Sequence, residues 1–575
     1  MRLEVVRRAL PAQRAALDLD LHPVLQRVYA ARGVRHPAEL LLPLRDLLPV
    51  GTLAGARAAA QLLCRHRADG RVIIIGDFDT DGATSTALLV RALRAWGFAD
   101  VDFMVPNRFE YGYGLTPEIV AVAAARRPTL IVTVDTGIGS HAGVAAARAA
   151  GIEVLITDHH LPAETLPEAQ VIVNPNLPDS GFASHALAGV GVAFYVAAAL
   201  RRLLEEQGLL PLAAMPAAEL LDLVALGTVA DVVPFDVNNR ILVAQGMRRI
   251  RAGRCVAGIS ALIEVARRTQ GQLVASDLGF AVAPRLNAAG RLTDMSIGIR
   301  CLLTDDASEA HALALELDRL NAERRQIEAR MQSEALAAVR VLRDPSSGVS
   351  RSGVCLFDPA WHQGVVGLVA GRVKERLRRP VVAFARVDER LLRGSARSVP
   401  GVHIRDVFDA LAARSPQLIQ KFGGHAMAAG LTLELSRLDA FAQAFDAQCA
   451  RVLAARGSPD VIETDGPLTP EELVLPTAEA LRAGGPWGPG FPEPLFDGVF
   501  HIGSARLVGE RHLKLGLAAP EGRGEFDAIR FNYLDDERPL AALPSGTARL
   551  VYRLESSEYL GERRLQFVVE HLLPD

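Results

Sequence analysis

The sequence predicts an α/β protein of several domains, in which a long helix joins a parallel-sheet domain to a smaller α/β domain and a β-barrel follows. Between about residues 70 and 235, short β-branched runs alternate with helical patterns, which is typical of a doubly wound parallel sheet. A stretch without Gly or Pro runs from Ser308 to Arg343, and short alternating runs with turn signals follow Pro494. The chain has 575 residues, which is too long for one ordinary domain.

The N-terminal part is predicted to begin with a helical lead-in over residues 1–50, punctuated by Pro23, Pro37, Pro43 and Pro49, followed by the parallel-sheet domain over residues 51–305. The strands of this domain are predicted where apolar runs lack polar alternation, as in strands buried on both faces. These runs are Val72–Ile75, Leu130–Val134 and Glu153–Thr157. A short helix is expected over Gly143–Ala150.

A connecting helix is predicted over residues 306–345. Ser308 is the expected N-cap, and Pro345 follows the expected end. An unbroken helix from Ser308 to Arg343 would be roughly 50 Å long at about 1.5 Å per residue, which is enough to bridge two domains. The alternative is two helices with a bend near Asn321.

Two further domains are predicted after this helix. Residues 346–455 are expected to form the smaller α/β domain, with strands at Val354–Phe357 and Val381–Phe384. Residues 456–575 are expected to form the β-barrel, because a Gly- and Pro-rich segment breaks the pattern and short alternating runs follow it. Those runs are Val499–Ile502, Leu513–Leu515, Ala548–Tyr552 and Leu565–Val569.

An acidic motif, Gly-Asp-Phe-Asp-Thr-Asp-Gly, directly follows the first predicted strand and contains Asp77, Asp79 and Asp81. Ligands bind at the carboxyl ends of strands in open α/β sheets. Three carboxylates at such a place repel one another unless a cation is present, and Mg²⁺ and Mn²⁺ prefer oxygen ligands. The motif therefore indicates a metal site, with a solvated acidic turn as the alternative.

Further acids and histidines lie at the ends of later elements. Asp135 ends the second predicted strand, Asp158-His159-His160 ends the third, and Asp231 ends an apolar helical run. Each residue alone would more often be a helix cap, a turn residue or a hydrogen-bonded core histidine. Together they suit two Mn²⁺ or Mg²⁺ ions that Asp135 would bridge about 3.5–4 Å apart, a pair that activates water and polarises a phosphoryl oxygen.

Composition limits the classes of function. The net charge of −3 shows no global nucleic-acid signature, so a polyanionic partner must be bound by local positive charge. The five cysteines form no Cys-x-x-Cys pair, which argues against a zinc site or a disulfide framework. No apolar run approaches the roughly 20 residues of a membrane span, and the N-terminus lacks the apolar core of a signal peptide. We therefore expect a cytoplasmic protein that does not contact a membrane.

The four acidic motifs, in this order, resemble those of the Asp-His-His (DHH) phosphoesterase superfamily. Later motifs extend the resemblance to its RecJ family of bacterial exonucleases, from about residue 70 to the C-terminus. These motifs are APRLNAAGR at 283–291, WHQGVVG at 361–367, GSARS at 394–398, GGHAMAAG at 423–430 and PWGPGFPEP at 486–494. The resemblance implies a DHH domain over residues 51–305, a DHHA1 domain over residues 346–455 and an OB-fold over residues 456–575.

The resemblance also implies roles for the acidic motifs. Some superfamily members carry a His at the position of Ile75, so Asp77 would supply the missing ligand. His160 would contact the scissile phosphate, with Asp135 and Asp158 as further catalytic residues, Asp158 by fixing a histidine tautomer. The implied metal ligands are Asp77, Asp79, Asp81, Asp135, His159 and Asp231.

A second set of residues is implied in nucleic-acid binding. Ser395 and Arg397 would form a pocket for the terminal 5′-phosphate together with Arg108, and the turn at Gly424 and His425 would contact phosphate. Tyr113 would stack on a base, or else pack within a loop between two glycines. The residues expected to track the DNA backbone are Arg285, Asn287, Arg291 and His362.

The implied activity is metal-dependent hydrolysis of single-stranded DNA from the 5′ end, which releases 5′-mononucleotides in recombination and repair. The expected cofactor is a pair of Mn²⁺ or Mg²⁺ ions, the expected partner is a single-strand-binding protein, and the expected state is monomeric. The alternatives are a phosphodiesterase of the same superfamily acting on short oligonucleotides or cyclic dinucleotides, a family II pyrophosphatase, and a non-catalytic scaffold that binds single-stranded DNA.

Overall fold

A computed structural model describes most of the chain, as two compact units. The described residues are 4–11, 21–106, 111, 114–211, 213–342, 351–454, 461–509, 511–519, 524–533, 543–559 and 562–574. The smaller unit comprises Arg291–Thr293 and the described residues of Arg319–Asp460. The larger unit comprises Leu3–Gly290, Asp294–Asp318 and Val461–Asp575.

The N-terminal segment differs from the predicted helical lead-in. It begins with a strand, β1 (Glu4–Arg7), and continues with the helices α1 (Pro23–Ala31) and α2 (Ala38–Leu41). Strand β1 pairs in parallel with β12 (Val461–Thr464), more than 450 residues along the chain. A pairing partner this distant leaves no local signal, so the first residues gave no indication of a strand.

A five-stranded parallel sheet forms the centre of the larger unit, which confirms the predicted α/β class. Its strand order is β3-β2-β4-β5-β6. The strands are β2 (Arg71–Gly76), β3 (Asp100–Met104), β4 (Leu130–Val134), β5 (Glu153–Thr157) and β6 (Val171–Val173). The helices that follow or flank them are α3 (Ala56–Arg65), α4 (Thr80–Ala95), α5 (Pro117–Ala124), α6 (His141–Ala149) and α7 (Gly189–Glu206). Strands β2 and β4 are almost wholly buried, as their apolar runs predict.

A helical layer completes this part of the larger unit. Its helices are α8 (Leu221–Asp231), α9 (Val237–Arg251), α10 (Ala257–Val265), α11 (Ala275–Asp277), α12 (Ala283–Leu292) and α13 (Ser296–Leu303). A π-helical turn, Leu278–Val282, separates α11 from α12. Helix α8 packs on both α4 and α7, which bring it to the carboxyl edge of the sheet.

The predicted connecting helix is one continuous element, α14 (Ala307–Leu342), of 36 residues. It begins one residue before the expected N-cap Ser308, because Asp306 is the capping residue. The Asp306 Oδ1 atom accepts hydrogen bonds from the amides of Ser308 at 2.7 Å and Glu309 at 3.0 Å. Asn321, where a bend was the alternative, is buried within the helix and accepts a hydrogen bond from Arg324 at 2.8 Å.

The smaller unit carries a mixed five-stranded sheet with the order β10-β11-β9-β8-β7, in which only β7 and β8 are parallel. Its strands are β7 (Val354–Phe357), β8 (Val381–Arg386), β9 (Leu391–Arg397), β10 (Lys421–Gly424) and β11 (Ala428–Glu434). Its further helices are α15 (Val366–Leu377), α16 (Ile404–Arg414) and α17 (Leu438–Ala454). Phe384, Phe408, Phe441 and Phe445 pack together in its core.

The C-terminal region is a closed barrel with the strand order β13-β14-β15-β17-β16, which confirms the predicted β-barrel. Helix α18 (Leu475–Ala483) precedes the strands β13 (Phe496–Val508), β14 (His512–Ala518), β15 (Glu525–Arg530), β16 (Gly546–Tyr559) and β17 (Glu562–Pro574). Strand β15 was not predicted, because its six residues contain three charges and only a short apolar alternation. An aromatic stack of Tyr29, Trp487 and Phe491 packs the segment before the barrel onto α1.

Within the described ranges, no single helix has the length and hydropathy to cross a bilayer. One bent pair, Leu44–Thr52 with Ala56–Arg65, passes the same test by length and composition alone.

Candidate metal centre

The acidic motif forms the turn between β2 and α4. Asp79 is the N-cap of α4, where its Oδ1 atom accepts from the Gly82 amide at 3.1 Å. Asp81 lies in the first turn of the same helix, where the helix dipole favours negative charge. Gly82 has to be a glycine, because a Cβ there would lie 2.4 Å from the carbonyl oxygen of Asp77.

Asp81 is held by the N-terminus of a second helix. Its Oδ2 atom accepts from the Gly189 amide at 2.6 Å, and its Oδ1 atom accepts from the Val190 amide at 2.9 Å. A Cβ on Gly189 would lie 2.6 Å from Cβ of Asp135, so this close approach requires glycine. Gly189 was not predicted from the sequence, although Ala-Gly-Val-Gly at the start of a helical pattern was a usable signal.

His159 lies among three carboxylates from three different elements. Its Nε2 atom is 3.1 Å from Oδ1 of Asp135, 3.5 Å from Oδ2 of Asp231 and 4.0 Å from Oδ2 of Asp81. Asp135 directly follows β4 and has the positive backbone angle φ of 58°, an uncommon conformation for a residue with a side chain. The structure therefore brings together four of the predicted residues at the edge of the sheet: Asp81, Asp135, His159 and Asp231.

Asp158 orients the histidine pair and is fully buried. Its Oδ1 atom accepts from the His159 amide at 2.7 Å and lies 2.7 Å from Nδ1 of His160. Its Oδ2 atom accepts from the Ile138 amide at 2.9 Å. Asp158 thus places the Nδ1 proton of His160 and leaves Nε2 of that ring for another partner. Burial raises the pKa of Asp158, but the bonds from His160 and Ile138 outweigh burial and the net pKa is lowered.

Two asparagines that were not predicted from the sequence hold the backbone of the histidine pair. The side-chain amide of Asn174 donates to the carbonyl oxygen of His160 at 2.9 Å, and that of Asn176 donates to the carbonyl oxygen of His159 at 2.6 Å. Both residues follow β6, in Asn-Pro-Asn. That motif after the apolar run Val171–Val173 was the available signal, since it places polar side chains at one more strand end.

Three overlapping groups of side chains offer ligand atoms within 4.8 Å of one another. The groups are Asp77, Asp79 and Asp135; Asp81, His159 and Asp231; and Asp135, His159 and His160. Oδ1 of Asp135 and Oδ2 of Asp231 are buried, and neither accepts a hydrogen bond from the described part of the chain. Buried carboxylate oxygens without a donor fit divalent cations such as Mn²⁺ and Mg²⁺.

The electrostatics of the cluster also fit a cation. Burial, followed by repulsion from neighbouring carboxylates, raises the pKa of Asp81 and Asp135 well above the usual carboxyl range. Burial lowers the pKa of His159, which favours the neutral imidazole that binds metal. Burial lowers the pKa of His160, but the bond to Asp158 and other nearby carboxylates outweigh burial and raise it to about 9.

Two residues expected to track DNA have internal partners instead. Arg285 is buried, donates to the carbonyl oxygen of Ala281 and forms an ion pair with Asp318 at 2.8 Å. Oδ1 of Asn287 accepts from the amide of Thr80 at 2.8 Å, so Asn287 supports the acidic motif. Local sequence could not reveal the contacts with Asp318 and Thr80, because these two residues come from other elements of the fold. Arg108 and Tyr113 lie outside the described residues.

The smaller unit brings Arg291, Ser395 and Arg397 together. Nη1 of Arg397 donates to Oγ of Ser395 at 3.0 Å and to the carbonyl oxygen of Ala396 at 2.8 Å. Burial, and then the charge of Arg291, lowers the pKa of Arg397 to about 10. A Cβ on Gly367 would lie 2.9 Å from both Arg397 and Ser395, so this glycine leaves room at the cluster. Two neighbouring guanidinium groups and a hydroxyl suit an anion such as phosphate.

The remaining predicted residues lie on two turns of the same unit. Nδ1 of His362 accepts from the Gly364 amide at 3.1 Å, and the carbonyl oxygen of Gly364 accepts from Arg291 at 3.2 Å. Gly424 has φ of 141° in the turn between β10 and β11, and His425 is exposed beside it. His362 is therefore adjacent to the cluster of Arg291, whereas His425 lies on the hairpin turn.

Family models match three regions of the chain. The model of the DHH family, N-terminal domain, matches residues 71–228, and the DHHA1 domain model matches residues 350–451. The RecJ OB domain model matches residues 464–571. Each match lies inside the corresponding predicted domain, while the predicted boundaries of these domains stay predictions.

Curated and solved proteins resemble the whole chain. The chain is 52% identical over 575 residues to the single-stranded-DNA-specific exonuclease RecJ of Dickeya dadantii (strain 3937), with 99% of each chain covered. It superimposes with a TM-score of 0.80 and 33% identity on a crystal structure of RecJ in complex with Mn²⁺ from Thermus thermophilus, covering 100% of this chain and 80% of the other. For RecJ in complex with Mg²⁺ from the same organism, the TM-score is 0.75 at 32% identity, with coverage of 100% and 78%.

Proposed function

Because the chain belongs to the RecJ family, we propose that it removes 5′-mononucleotides stepwise from the 5′ end of single-stranded DNA. The protein is a metal-dependent exonuclease of the DHH phosphoesterase superfamily, and its substrate is single-stranded DNA. The observation that carries the proposal is the cluster of Asp135, His159 and Asp231, whose buried carboxylate oxygens accept no hydrogen bond from the residues that the structure describes. Because the protein is an enzyme, the alternative of a non-catalytic scaffold that binds single-stranded DNA is set aside.

The cofactor is Mn²⁺ or Mg²⁺, and we propose that two ions bind. Asp135 belongs both to the group with Asp77 and Asp79 and to the group with His159, so it is the residue suited to bridge two ions. The other ligands would be Asp81 and Asp231. Divalent ions held there would activate a water and stabilise charge on the leaving oxygen.

His160 and Asp158 would contribute from outside the ligand set. Asp158 fixes the proton of His160 on Nδ1, which leaves Nε2 to contact a non-bridging oxygen of the scissile phosphate. Asn174 and Asn176 donate hydrogen bonds to the backbone carbonyl oxygens of the histidine pair, so they fix the backbone from which both rings extend. These contacts would hold the two histidine rings in place for the ligands and the substrate.

We assign the choice of DNA end to the smaller unit. Arg291, Ser395 and Arg397 would bind the terminal 5′-phosphate, because two half-buried neighbouring guanidinium groups beside a hydroxyl suit an anion. His362, Gly424 and His425 would add donors along the backbone, and Arg108 and Tyr113 are assigned to the same substrate from the sequence alone. The barrel would supply a further surface for single-stranded DNA, as OB-folds do.

Three finer assignments rest on the family resemblance. We propose that the enzyme acts in recombination and repair, that it contacts a single-strand-binding protein, and that it works as a monomer in the cytoplasm. The phosphodiesterase and pyrophosphatase alternatives are less well supported, because the match to the RecJ OB domain model covers the C-terminal barrel.

The replacement Asp135→Ala tests the assignment of the metal centre. We expect Mn²⁺-dependent hydrolysis of single-stranded DNA to fall at least about 1000-fold, because the shared ligand is lost, while DNA binding in EDTA stays within about twofold. The control is Asp409→Asn, which removes an exposed carboxylate on α16 that lies 3.9 Å from Arg405. Full activity of Asp135→Ala, with activity of the control unchanged, would remove Asp135 from the metal centre.

A further inference from the structure

A cavity of about 1300 Å³ lies within the larger unit, next to the end of α8. One wall contains Val229, Ala230 and Val232, which surround the metal-centre residue Asp231 in sequence. Another wall comes from α18 and from barrel strands β16 and β17, including Arg553 and Arg563. The cavity therefore extends from the metal-centre side of the helical layer to the barrel, within one compact unit.

Phe280 lines this cavity and is 82% exposed, although its neighbours Leu278, Ala281 and Val282 are buried. It lies in the π-helical turn before α12, and such turns often occur at functional sites because the extra residue redirects side chains. Within this turn, a Cβ on Gly279 would lie 3.3 Å from Val229, so the turn is packed on α8. The turn thus presents an aromatic ring to solvent from a backbone that is fixed near the metal centre.

Three arginines in the cavity are bonded to backbone carbonyls. Arg248 donates to Leu41 at 3.1 Å, Arg251 donates to Leu273 at 2.6 Å, and Arg482 donates to Gln272 at 2.6 Å. Among the ion pairs of the described residues, none includes these three arginines. Arg268, Arg553 and Arg563 of the same cavity differ, since they pair with Asp277, Glu493 and Glu479.

Nearby carboxylates offset only part of the charge of these arginines, since Asp277 acts on Arg251 and Glu555 acts on Arg482 without forming an ion pair among the described residues. Burial lowers the pKa of Arg251, and the charges of Arg482 and Arg248 lower it further. Placement in the last turns of α9 and α18 suits the helix dipole, but it does not explain why two helices direct arginines into one cavity. A bound polyanion would offset this repulsion.

We infer that the cavity is a second binding station for single-stranded DNA, in which a base stacks on Phe280 and phosphates contact Arg248, Arg251 and Arg482. This inference rests on the proposed function, since the strand that enters the cavity is the substrate whose 5′ end lies at the metal centre. Single-stranded DNA is the occupant because it presents unpaired aromatic faces together with several phosphates and is the substrate of the metal centre. A duplex hides its base faces, and a free mononucleotide carries too few phosphates for three arginines.

Two sets of variants test the station. Phe280→Ala removes the stacking platform and Phe280→Trp keeps it, while the pair Arg251→Gln and Arg482→Gln removes two charges. Arg202→Gln is the charge control, because Arg202 is exposed on α7 and pairs with Glu206 at 3.0 Å. Affinity for a 5′-phosphorylated oligothymidylate of about 20 nucleotides is measured in EDTA over a range of salt concentrations, so that binding is separated from hydrolysis. Hydrolysis of a 5′-phosphorylated dinucleotide, which offers far fewer bases and phosphates to the cavity than the long strand, is measured with Mn²⁺.

We expect Phe280→Ala to weaken binding of the long strand about 10-fold, as loss of one stacked base does, and Phe280→Trp to bind like the parent with fluorescence quenched by DNA. The double arginine variant should lower the slope of log affinity against log salt by about 1.4, or about 0.7 for each lost phosphate contact. Dinucleotide hydrolysis and the control should be unchanged.

Unchanged affinity and salt slope in these variants would overturn the station. Equal losses on the dinucleotide and the long strand would also overturn it, because they would indicate damage to the metal centre. If the parent protein cleaved no single-stranded DNA, the proposed function would fail, and the binding measurements in EDTA would still decide whether the station exists.

Discussion

Asp158 contacts both members of the histidine pair, and we propose that it acts on the chemistry of the site by orienting them. Its carboxylate bonds to the amides of Ile138 and His159 and to the ring of His160, so it fixes the position of that ring and accepts from its Nδ1 atom. The sequence predicts this kind of role for Asp158. The structure specifies that the oriented ring belongs to His160 rather than to His159.

The replacement Asp158→Asn tests this role. We expect single-turnover hydrolysis to fall about 10- to 100-fold, because the amide can no longer accept from every partner and His160 loses the carboxylate that orients it. Affinity for Mn²⁺ should change less than the rate does. Asp406→Asn is the matched control, since Asp406 lies 2.8 Å from Nδ1 of an exposed histidine, His403. Equal effects of the two replacements would contradict an orienting role for Asp158.

At the scale of elements, the carboxyl ends of β2, β4 and β5 and the end of α8 bring several carboxylates together. Burial and mutual repulsion raise the pKa of Asp81 and Asp135 well above the usual carboxyl range. A carboxyl group with a higher pKa in the folded than in the unfolded protein binds more protons when folded, so lower pH favours the fold. The pKa of Asp158 is lowered instead, so the stability that its ionised form contributes to the fold is lost only below about pH 4.

These shifts predict how stability depends on pH in the absence of metal. In EDTA, the Tm of the protein should rise as pH falls from about 8 to about 5, and Asp135→Asn should flatten this dependence because it removes one buried charge. Thermal unfolding followed by circular dichroism measures both effects. A Tm that falls steadily as the pH is lowered from about 8 to about 5, with the same slope in Asp135→Asn, would contradict the assigned electrostatics.

A second element-scale feature joins the N-terminal segment to the start of the barrel. Strand β1 pairs with β12, and the side chain of Asp465, immediately after β12, is fully buried, 2.7 Å from Arg32 and 3.2 Å from Arg8. Arg7 and Arg549 also pair with Asp497, which lies in β13. The N-terminal residues therefore pack on the start of the barrel region, through β12, Asp465 and Asp497, and do not form a separate lead-in.

The replacement Asp465→Asn should lower the free energy of unfolding by about 3–5 kcal/mol, because it leaves the buried Arg32 guanidinium without its counter-charge. Urea denaturation measures the change. Asp527→Asn, which removes an exposed partner of Lys514 at 3.3 Å, should change stability by less than about 1 kcal/mol. A loss for Asp465→Asn as small as that of the control would show that this ion pair does not hold the segment.

At the scale of the whole molecule, the sequence predicted the parts whose evidence is local. The ends of parallel strands must meet at one edge, so Asp81, Asp135 and His159 could be expected to converge from their positions alone. The partners of Arg285 and Asn287 could not be predicted, because tertiary packing decides whether a polar side chain faces a ligand or another element. The pairing of β1 with β12 was hidden for the same reason.

The central claim is that the buried carboxylate and histidine cluster drives digestion of single strands from the 5′ end. The most direct measurement follows 3′-labelled and 5′-labelled single-stranded DNA, beside the matching duplex, with Mn²⁺ and with EDTA. We predict immediate release of the 5′ label as a mononucleotide, progressive shortening of the 3′-labelled strand, and no digestion of the duplex or in EDTA. In the Arg397→Ala variant, the preference for a 5′-phosphorylated end should decrease. Initial release of the 3′ label, or digestion that persists in EDTA, would contradict the account.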